Sequence, residues 1–413
     1  MKILVVSLYF PPEMGAPAGR FYDFAQHWLK AGHEVTVVTG FPNFPAGIIH
    51  EGYRGKLSQR ELIDGVDVRR CWILTAKSRF LSRALTYASF LLSSTLRVLF
   101  MRRQFDVVIA TSPPPTVGLP GIVAAWRQGA PLIFDIRDIW PEAIVQSGRL
   151  KNPLIIALFE GTARLIYRVS TKIAVVTDGW RGRLIEIDVP GDKVEVLPNG
   201  VDVAAFDRDA EGELPAAFSV LDPDAAWFTY AGIFNRPQGL EVILGAAKHL
   251  REVAPELYQK SQFVMIGEGP TGDELREQVA RDRLDRVVFI DRQPRAAVFA
   301  TLRRSFANIV SLRPRKDTST VPSKIYECMA SGRPLLFSAA GEGGDTIRRA
   351  GAGAVTPPAD AEALAEAMRA YLEDPASATR DGASGRAFVV ENFDRGKISL
   401  AFADLMERAA GRR

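Results

Sequence analysis

Short runs of nearly uninterrupted apolar residues, each followed by an amphipathic stretch, recur from one end of this chain to the other. In the first half the runs are Ile3–Leu8, Val35–Thr39, Asp106–Ala110, Leu132–Phe134, Lys172–Val176 and Val194–Leu197. In the second half they are Trp227–Ala231, Phe263–Ile266, Val287–Ile290, Ala307–Val310 and Leu335–Ser338. A strand that is apolar on both faces belongs in a parallel sheet covered by helices on each side. The stretches between them, such as Gly19–Lys30, Thr116–Arg127, Gly239–Arg251, Ser323–Ser331 and Ala361–Glu373, carry helical spacing. The alternation appears twice, which predicts an α/β protein of two doubly wound, Rossmann-like domains facing across a cleft. Ligands of such sheets bind beyond the carboxyl ends of the strands, so the loops that follow strands carry the most weight.

The joint is expected near Pro198–Asp202, where Asn199-Gly200 signals a turn or hinge. It gives one domain over 1–202 and a second from 203 to about 394. Phe206 to Pro223 is acidic and weakly periodic and reads as a linker or surface loop. Its Asp207-Arg208-Asp209 and the nearby Asp222-Pro223-Asp224 resemble a metal-binding Asp-x-Asp. Neither follows a buried strand closely, so both read as solvated acids.

Composition removes several classes. Cys71 and Cys328 lie in different halves and offer no disulfide framework, which suits a reducing compartment. His27, His33, His50 and His249 are scattered, with no Cys at zinc-ligand spacing, so a structural zinc site is not expected. Met1 runs directly into the first apolar run and then Pro11-Pro12, which reads as a first core strand and not as an export signal.

Among the strand-following loops, Tyr9 to Arg20 contains Glu13 and Gly15 and leads into a helix. Glycines there let backbone approach a phosphate, although the dinucleotide fingerprint is absent. Asp135-Ile136-Arg137-Asp138 through Glu142 puts three acids and an Arg at the end of a buried strand. Such acids beside Arg137 either orient hydroxyls and tune proton transfer or tie the loop together as an ion pair. In the second half, Gly232 to Gly239 contains Arg236, and Gly267-Glu268-Gly269-Pro270 follows the next strand. The densest segment is Arg313 to Pro334, where Arg313, Arg315, Lys316 and Lys324 surround a Ser/Thr-rich turn. Pro322 suits a first helical turn, Ser323 and Lys324 open the helix, and Glu327 sits one turn in. Cations and hydroxyls at a helix start form a diphosphate site that needs no metal, and a carboxylate there suits the vicinal diol of a ribose.

Taken in order, Tyr9–Arg20, Gly32–Val35, Phe41–Pro45, Asp135–Glu142, Pro198–Asp202, Gly267–Pro270 and Pro322–Pro334 resemble the family 4 retaining glycosyltransferases of GT-B fold. The likeness is greatest to the branch containing N-acetylfucosamine transferases of bacterial O-antigen and capsule assembly. The resemblance implies metal-independent transfer, with retention, from a nucleotide diphosphate sugar. UDP with an N-acetyl or deoxy sugar is the default donor, and a polyprenyl-linked or nascent surface glycan is the acceptor. It implies that a carboxy-terminal helix over about 395–413 returns to the first domain. Glu327 resembles the family glutamate that binds ribose, Arg292 lies where the family contacts the base, and Arg137 stands where many relatives have a catalytic His. The sequence departs from the family at Ser319, where a glutamate is usual, and at Ile233 and Gln238, where cations are usual. Arg236 and Lys324 are the expected substitutes. The leaving phosphate is expected to take the acceptor's proton, with Asp138 and Glu13 as the candidate protein bases.

Charge adds a further expectation. From Arg54 to Gln104 there are eleven Lys/Arg and three Asp/Glu, a balance of +8, so the rest of a chain carrying +4 sums to −4. Inside this region Ala84 to Leu96 is free of charge and is flanked by Arg83 and by Arg97, Arg102 and Arg103. Thirteen residues fall short of the roughly 20 that span a bilayer. The helix either lies in a membrane interface, with Phe90 and Leu91 inserted, or is a buried helix with solvated ends. The first reading places the protein in the cytoplasm at the inner face of the membrane. The basic stretch lacks interleaved aromatics, which argues against nucleic acid. A nucleotide-sugar epimerase of the same form and a catalytically silent glycan- or lipid-binding scaffold are the rival functions.

Overall fold

The computed structural model describes residues 1–13, 16–43, 47–75, 79–102, 104–139, 152–315 and 319–412. The chain divides into two compact units, Met1–Asn199 with Arg395–Arg413, and Gly200–Asp394. Among the described residues no helix is long and apolar enough to cross a membrane.

The first unit is built on an eight-stranded sheet. Its strands are β1 (Lys2–Ser7), β2 (Glu34–Gly40), β3 (Ser58–Ile63), β4 (Val66–Cys71), β5 (Val107–Thr111), β6 (Leu132–Ile136), β7 (Lys172–Val175) and β8 (Val194–Val196). They lie in the order β3-β4-β2-β1-β5-β6-β7-β8. All neighbours are parallel except β3 and β4, which form an antiparallel hairpin at one edge. Every residue of β5 and β6 is buried, as a strand covered on both faces requires.

One face of this sheet is covered by α1 (Ala16–Lys30) and the carboxy-terminal α15 (Arg395–Ala409). Phe21, Phe24 and Trp28 of α1 close around Phe402 of α15 at centroid distances of 6.0, 5.8 and 5.5 Å. Trp28 also donates to the Ser399 carbonyl at 2.9 Å, and Arg395 pairs with Asp23. Burying aromatics of this size contributes about 1.5–3 kcal/mol each, which fixes the last helix to the first unit.

The other face carries α2 (Arg79–Leu99), α3 (Gly118–Gln128) and α4 (Pro153–Val169), followed by α5 (Asp178–Glu186). The structure corrects the expectation for α2. Phe90 is 1% exposed and belongs to the core, so it is not available for insertion into a membrane. Leu91 is half-buried. The inward face also buries Thr86, Ser89, Ser93 and Ser94. Their hydroxyls bond to carbonyls, Thr86 to Leu74 at 2.9 Å, Ser89 to Leu85 at 2.6 Å and Ser93 to Trp72 at 2.8 Å.

The second unit holds β9 (Ala226–Ala231), β10 (Ser261–Ile266), β11 (Val287–Ile290), β12 (Ala307–Ser311), β13 (Leu335–Ser338) and β14 (Gly353–Thr356). These form one fully parallel sheet in the order β11-β10-β9-β12-β13-β14. Strand order therefore reverses between β9 and β12, as it does between β1 and β5 in the first unit. The covering helices are α7 (Glu241–Val253), α8 (Pro255–Gln259), α9 (Gly272–Asp282), α10 (Arg295–Arg304), α11 (Lys324–Ala330), α12 (Glu342–Ala350), α13 (Ala361–Glu373) and α14 (Pro375–Asn392).

The stretch expected as a linker begins instead with α6 (Val203–Ala210), capped by the Asp202 side chain on Ala205 N–H at 2.8 Å. Val203, Phe206 and Ala210 recur at helical spacing and are buried, with the Phe206 ring packed at a tilt against Phe299, centroids 4.4 Å apart. Asp207 is not a solvated loop acid. Its carboxylate accepts from Arg386 at 2.6 Å and also from Arg303.

Candidate functional site

In a doubly wound sheet the ligand crevice opens where strand order reverses, beyond the carboxyl ends. In the second unit that point lies between β9 and β12. The loops leaving these strands are tied together: Ser311 Oγ donates to the Gln238 carbonyl at 2.8 Å, and Arg313 N–H donates to the Pro237 carbonyl at 3.0 Å. The loop after β10 joins them, since Phe234 N–H donates to the Glu268 carbonyl at 2.9 Å. Gly267 has φ +142°, and a Cβ on it would stand 1.9 Å from the Gly232 carbonyl oxygen. Only glycine lets the two loops come this close.

Into this cluster comes Lys324, the first residue of α11. Its Nζ donates to Tyr230 Oη and to Gln238 Oε1, both at 3.0 Å, and stands 4.3 Å from the Tyr230 ring centroid. A Cβ at position 232 would lie 2.5 Å from the same nitrogen, so the ammonium rests directly over the Gly232 backbone. Both hydrogen-bond acceptors are neutral, and no carboxylate pairs with Lys324 among the described residues. A half-buried ammonium fixed by neutral oxygens keeps its charge for an anion.

The expected helix amino terminus is shorter than the sequence pattern implied. The helix has seven residues, and Ser323 makes no side-chain cap bond. Positive charge at this point therefore comes from the lysine side chain. Glu327 is half-buried one turn along.

The reversal point of the first unit holds a different chemistry. Asp135, fully buried at the end of β6, accepts from Thr111 Oγ1 at 2.7 Å and from Arg20 Nη2 at 3.4 Å. Arg20 also donates to the carbonyls of Leu197, at 2.7 Å, and Pro198. Burial lowers the Arg20 pKa to about 10, opposed by the Asp135 carboxylate. Glu13, 4% exposed, accepts from Phe10 N–H at 3.3 Å and Asn43 N–H at 2.8 Å, and so pins the first loop to the segment after β2. Arg137 Nε is buried without a hydrogen-bond partner among the described residues. Burial lowers the Arg137 pKa, while Asp135 and Asp138 act to raise it. Asp138 is half-buried beside it.

Residues 15–200 match the Glycosyl transferase 4-like domain, and residues 226–374 match Glycosyl transferases group 1. The fold is similar to that of HepE from Anabaena in complex with UDP-glucose, at 16% identity and a TM-score of 0.70 over 99% of this chain and 100% of that one. The chain is a GT-B glycosyltransferase. Sucrose-phosphate synthase from Thermosynechococcus elongatus is also similar in fold, at 17% identity and a TM-score of 0.72 over 100% of both chains. In sequence, the glycosyltransferase is 26% identical over 347 residues to a putative colanic acid biosynthesis glycosyl transferase, WcaI, of Escherichia coli strain K12. The alignment covers 82% of this chain and 83% of WcaI. It is 27% identical to the probable glycosyltransferase WbjE of Pseudomonas aeruginosa, over 72% of this chain and 74% of that one.

Within this glycosyltransferase, Gly267, Ser323 and Lys324 come together at the second reversal point. Arg236 is exposed and reaches Glu274 at 3.9 Å, and Arg292 reaches Glu268 at 3.8 Å. Gly15 and Arg103 lie outside the described residues, as do Lys316 and Glu142. Arg83 and Arg102 are exposed. Among the described residues, no group of three or more His, Cys, Asp or Glu is placed to hold a metal. Sequence reasoning missed Tyr230 and Gln238 as partners of Lys324, and Arg20 as the partner of Asp135. These pairs are 94, 86 and 115 residues apart, and no local pattern announces them.

Proposed function

We propose that this glycosyltransferase moves a sugar, with retention and without a metal, from a nucleotide diphosphate to a lipid-linked or surface-polysaccharide acceptor. The donor we propose is a UDP-linked N-acetyl or deoxy sugar. The observation that carries this reading is Lys324, an ammonium whose partners among the described residues are all neutral, at the strand-order reversal of the second unit. There it meets the donor's diphosphate and stabilises the charge that grows as the sugar–phosphate bond breaks. Gly232 and Gly267 let backbone approach the same phosphates, Ser323 adds a hydroxyl, Glu327 takes the ribose diol and Arg292 borders the base. Arg236 contributes long-range charge only, because it is exposed and already faces Glu274.

The acceptor oxygen bonds to the anomeric carbon on the face the diphosphate leaves. Its proton passes to the departing phosphate oxygen, so no side chain need be a nucleophile. In the first unit, Arg137 and Asp138 orient the acceptor. Glu13 acts by positioning its loop, since backbone N–H groups bind both its carboxylate oxygens.

Support for the acceptor class comes from WcaI, named for colanic acid biosynthesis, and from an O-antigen chain mannosyltransferase of Escherichia coli that is 26% identical over 52% of this chain. The test is a panel of UDP-, GDP- and ADP-sugars incubated with polyprenyl-linked acceptor in excess EDTA. Transfer of sugar from a UDP donor is the expected result. Interconversion of the donor sugar without transfer, or turnover that requires added divalent metal, would overturn the reading.

A further inference from the structure

Helix α4 turns one face to the core and leaves the opposite face bare. Ala163, Ile166 and Tyr167 are buried and belong to the core of the first unit. On the far side Leu154 is 80% exposed, Leu158 is 68%, and Leu165 and Val169 are each 46%. With Gly161 between them they follow steps of four, three, four and four residues, which makes one stripe along the helix. Large apolar side chains left in water along one contiguous face mark an interaction surface.

Gly161 sits at the middle of this stripe. Glycine is the poorest helix former after proline. A Cβ at this position would meet nothing within 4 Å, so packing inside the protein does not ask for a glycine here. A missing side chain at the centre of an exposed apolar stripe suits a second helix that crosses there at close range.

The stripe also reads the same in both directions. Leu158 and Leu165 lie equally far on either side of the peptide bond between Gly161 and Thr162, and so do Leu154 and Val169. A copy of the helix turned about a two-fold axis at that bond sets Leu158 of one copy on Leu165 of the other, and Leu154 on Val169. Along one edge Glu160 and Arg164 face each other at 3.8 Å, and the same reversal brings the Glu160 of each copy toward the Arg164 of the other. Thr162 Oγ1 donates to the Leu158 carbonyl at 2.8 Å, so contact at the axis strands no hydroxyl. The Asn152 side chain accepts from the N–H groups of Leu154 and Ile155 and fixes the turn that carries Leu154. Ile155, 42% exposed, borders the stripe. At roughly 100 Å² for each of these five apolar side chains, two copies would remove about 1,000 Å² from water, the lower bound for a specific interface.

We infer that α4 is a homodimer interface, in which two copies of this chain pair through antiparallel α4 helices with the two-fold axis between Gly161 and Thr162. A second copy is the occupant because the stripe is self-complementary in apolar pattern and in edge charge. A lipid surface would require neither that symmetry nor the central glycine.

The test is sedimentation equilibrium of the full chain, joined to disulfide mapping of the register. The wild type should form a dimer that dissociates on dilution through the micromolar range. Leu158→Ser combined with Leu165→Ser should be monomeric with an unchanged unfolding midpoint, since both side chains are exposed. Gly161→Leu should keep or raise the midpoint and yet weaken association by at least about tenfold. On oxidation Thr162→Cys should cross-link to its own copy. Leu154→Cys should not, because the two positions stand about 22 Å apart across the axis, but it should cross-link when mixed with Val169→Cys. Cys71 and Cys328 are buried and take no part. Wild type that stays monomeric overturns the inference, as does undiminished association of either the Leu158/Leu165 variant or Gly161→Leu. Cross-linking of Leu154→Cys to itself as readily as Thr162→Cys would also overturn it. Monomeric wild type that pellets with phospholipid vesicles, and loses this in the Leu158/Leu165 variant, would assign the face to a membrane and reject the dimer.

Discussion

The Lys324 ammonium donates to the Tyr230 hydroxyl at 3.0 Å and stands 4.3 Å from the centre of the same ring. One side chain thus fixes the lysine both by a hydrogen bond and by the negative face of its ring, without cancelling its charge. Tyr230 in turn reaches the Ile233 carbonyl at 3.1 Å, so the position of the cation depends on the loop after β9. Tyr230→Phe keeps the ring and removes the acceptor. The expected result is a rise in donor KM of roughly 3- to 10-fold with a smaller change in kcat. Steady-state kinetics with saturating acceptor measure this, and an unchanged KM would show that the hydroxyl does not position the lysine.

Gln238 Oε1 is the second neutral acceptor of Lys324. Gln238→Lys would set two ammonium groups within hydrogen-bond distance of each other. The free variant should unfold at a lower temperature than the wild type, and added UDP should narrow the gap by separating the charges. Thermal unfolding with and without UDP checks this. A variant with the wild-type midpoint and the wild-type UDP response would contradict the placement of these residues.

Gly267→Ala would drive a methyl group to 1.9 Å from the Gly232 carbonyl oxygen. No rotamer relieves a Cβ clash with backbone, so the loops must part. Expected are a loss of at least about 2 kcal/mol in the unfolding of the second unit and weakened donor binding. Urea denaturation followed by donor titration reports both, and a variant as stable as the wild type would show that the loops are not in contact.

Much of the fold was legible because parallel strands covered on both faces must be apolar along their length, as in β5 and β6. The edge hairpin was not. β3 alternates exposed and half-buried residues, so it has no apolar run, although Asp64-Gly65 between two strands is a hairpin signal in its own right. Helix α6 escaped because three buried residues among acids look like a loop until Phe299 is seen packed against Phe206. The sequence marked Lys324 by its neighbours, yet what makes it distinctive is Tyr230 and Gln238, and only the fold brings them to it. For α2 the lack of charge was legible but the inward face was not. Serines seldom face a core, and here they do so because helix and strand-end carbonyls accept their hydroxyls.

Asp135 and Arg20 are 0% and 1% exposed, and each needs the other. Asp135→Ala would leave a buried guanidinium with carbonyl partners only, at a cost of about 3–5 kcal/mol. Chemical denaturation should show this loss in the first unit. A change below about 1 kcal/mol would mean that the Leu197 and Pro198 carbonyls suffice to hold the charge.

Burial pushes the Cys71 thiol up to about 11 and the Cys328 thiol up to about 12, against 9.0 for an ordinary thiol. The unfolded chain therefore loses these protons from about pH 9, while the folded chain keeps them. Their contribution to stability is present in full below pH 9 and is lost as pH rises through the folded values. Native protein at pH 8 should react with neither thiol in a disulfide-exchange assay, and protein unfolded in guanidinium should titrate two. Prompt reaction of either thiol in native protein would contradict its burial.

The central claim is that Lys324 receives the donor's diphosphate without the help of a metal. Calorimetric titration of UDP into wild type and Lys324→Ala, both in excess EDTA, tests it most directly. The account predicts saturable binding by the wild type and a loss of roughly 10- to 100-fold in affinity for the variant, the worth of a charge-assisted hydrogen bond at a partly buried site. Equal affinities, or wild-type binding that appears only when a divalent metal is restored, would contradict it.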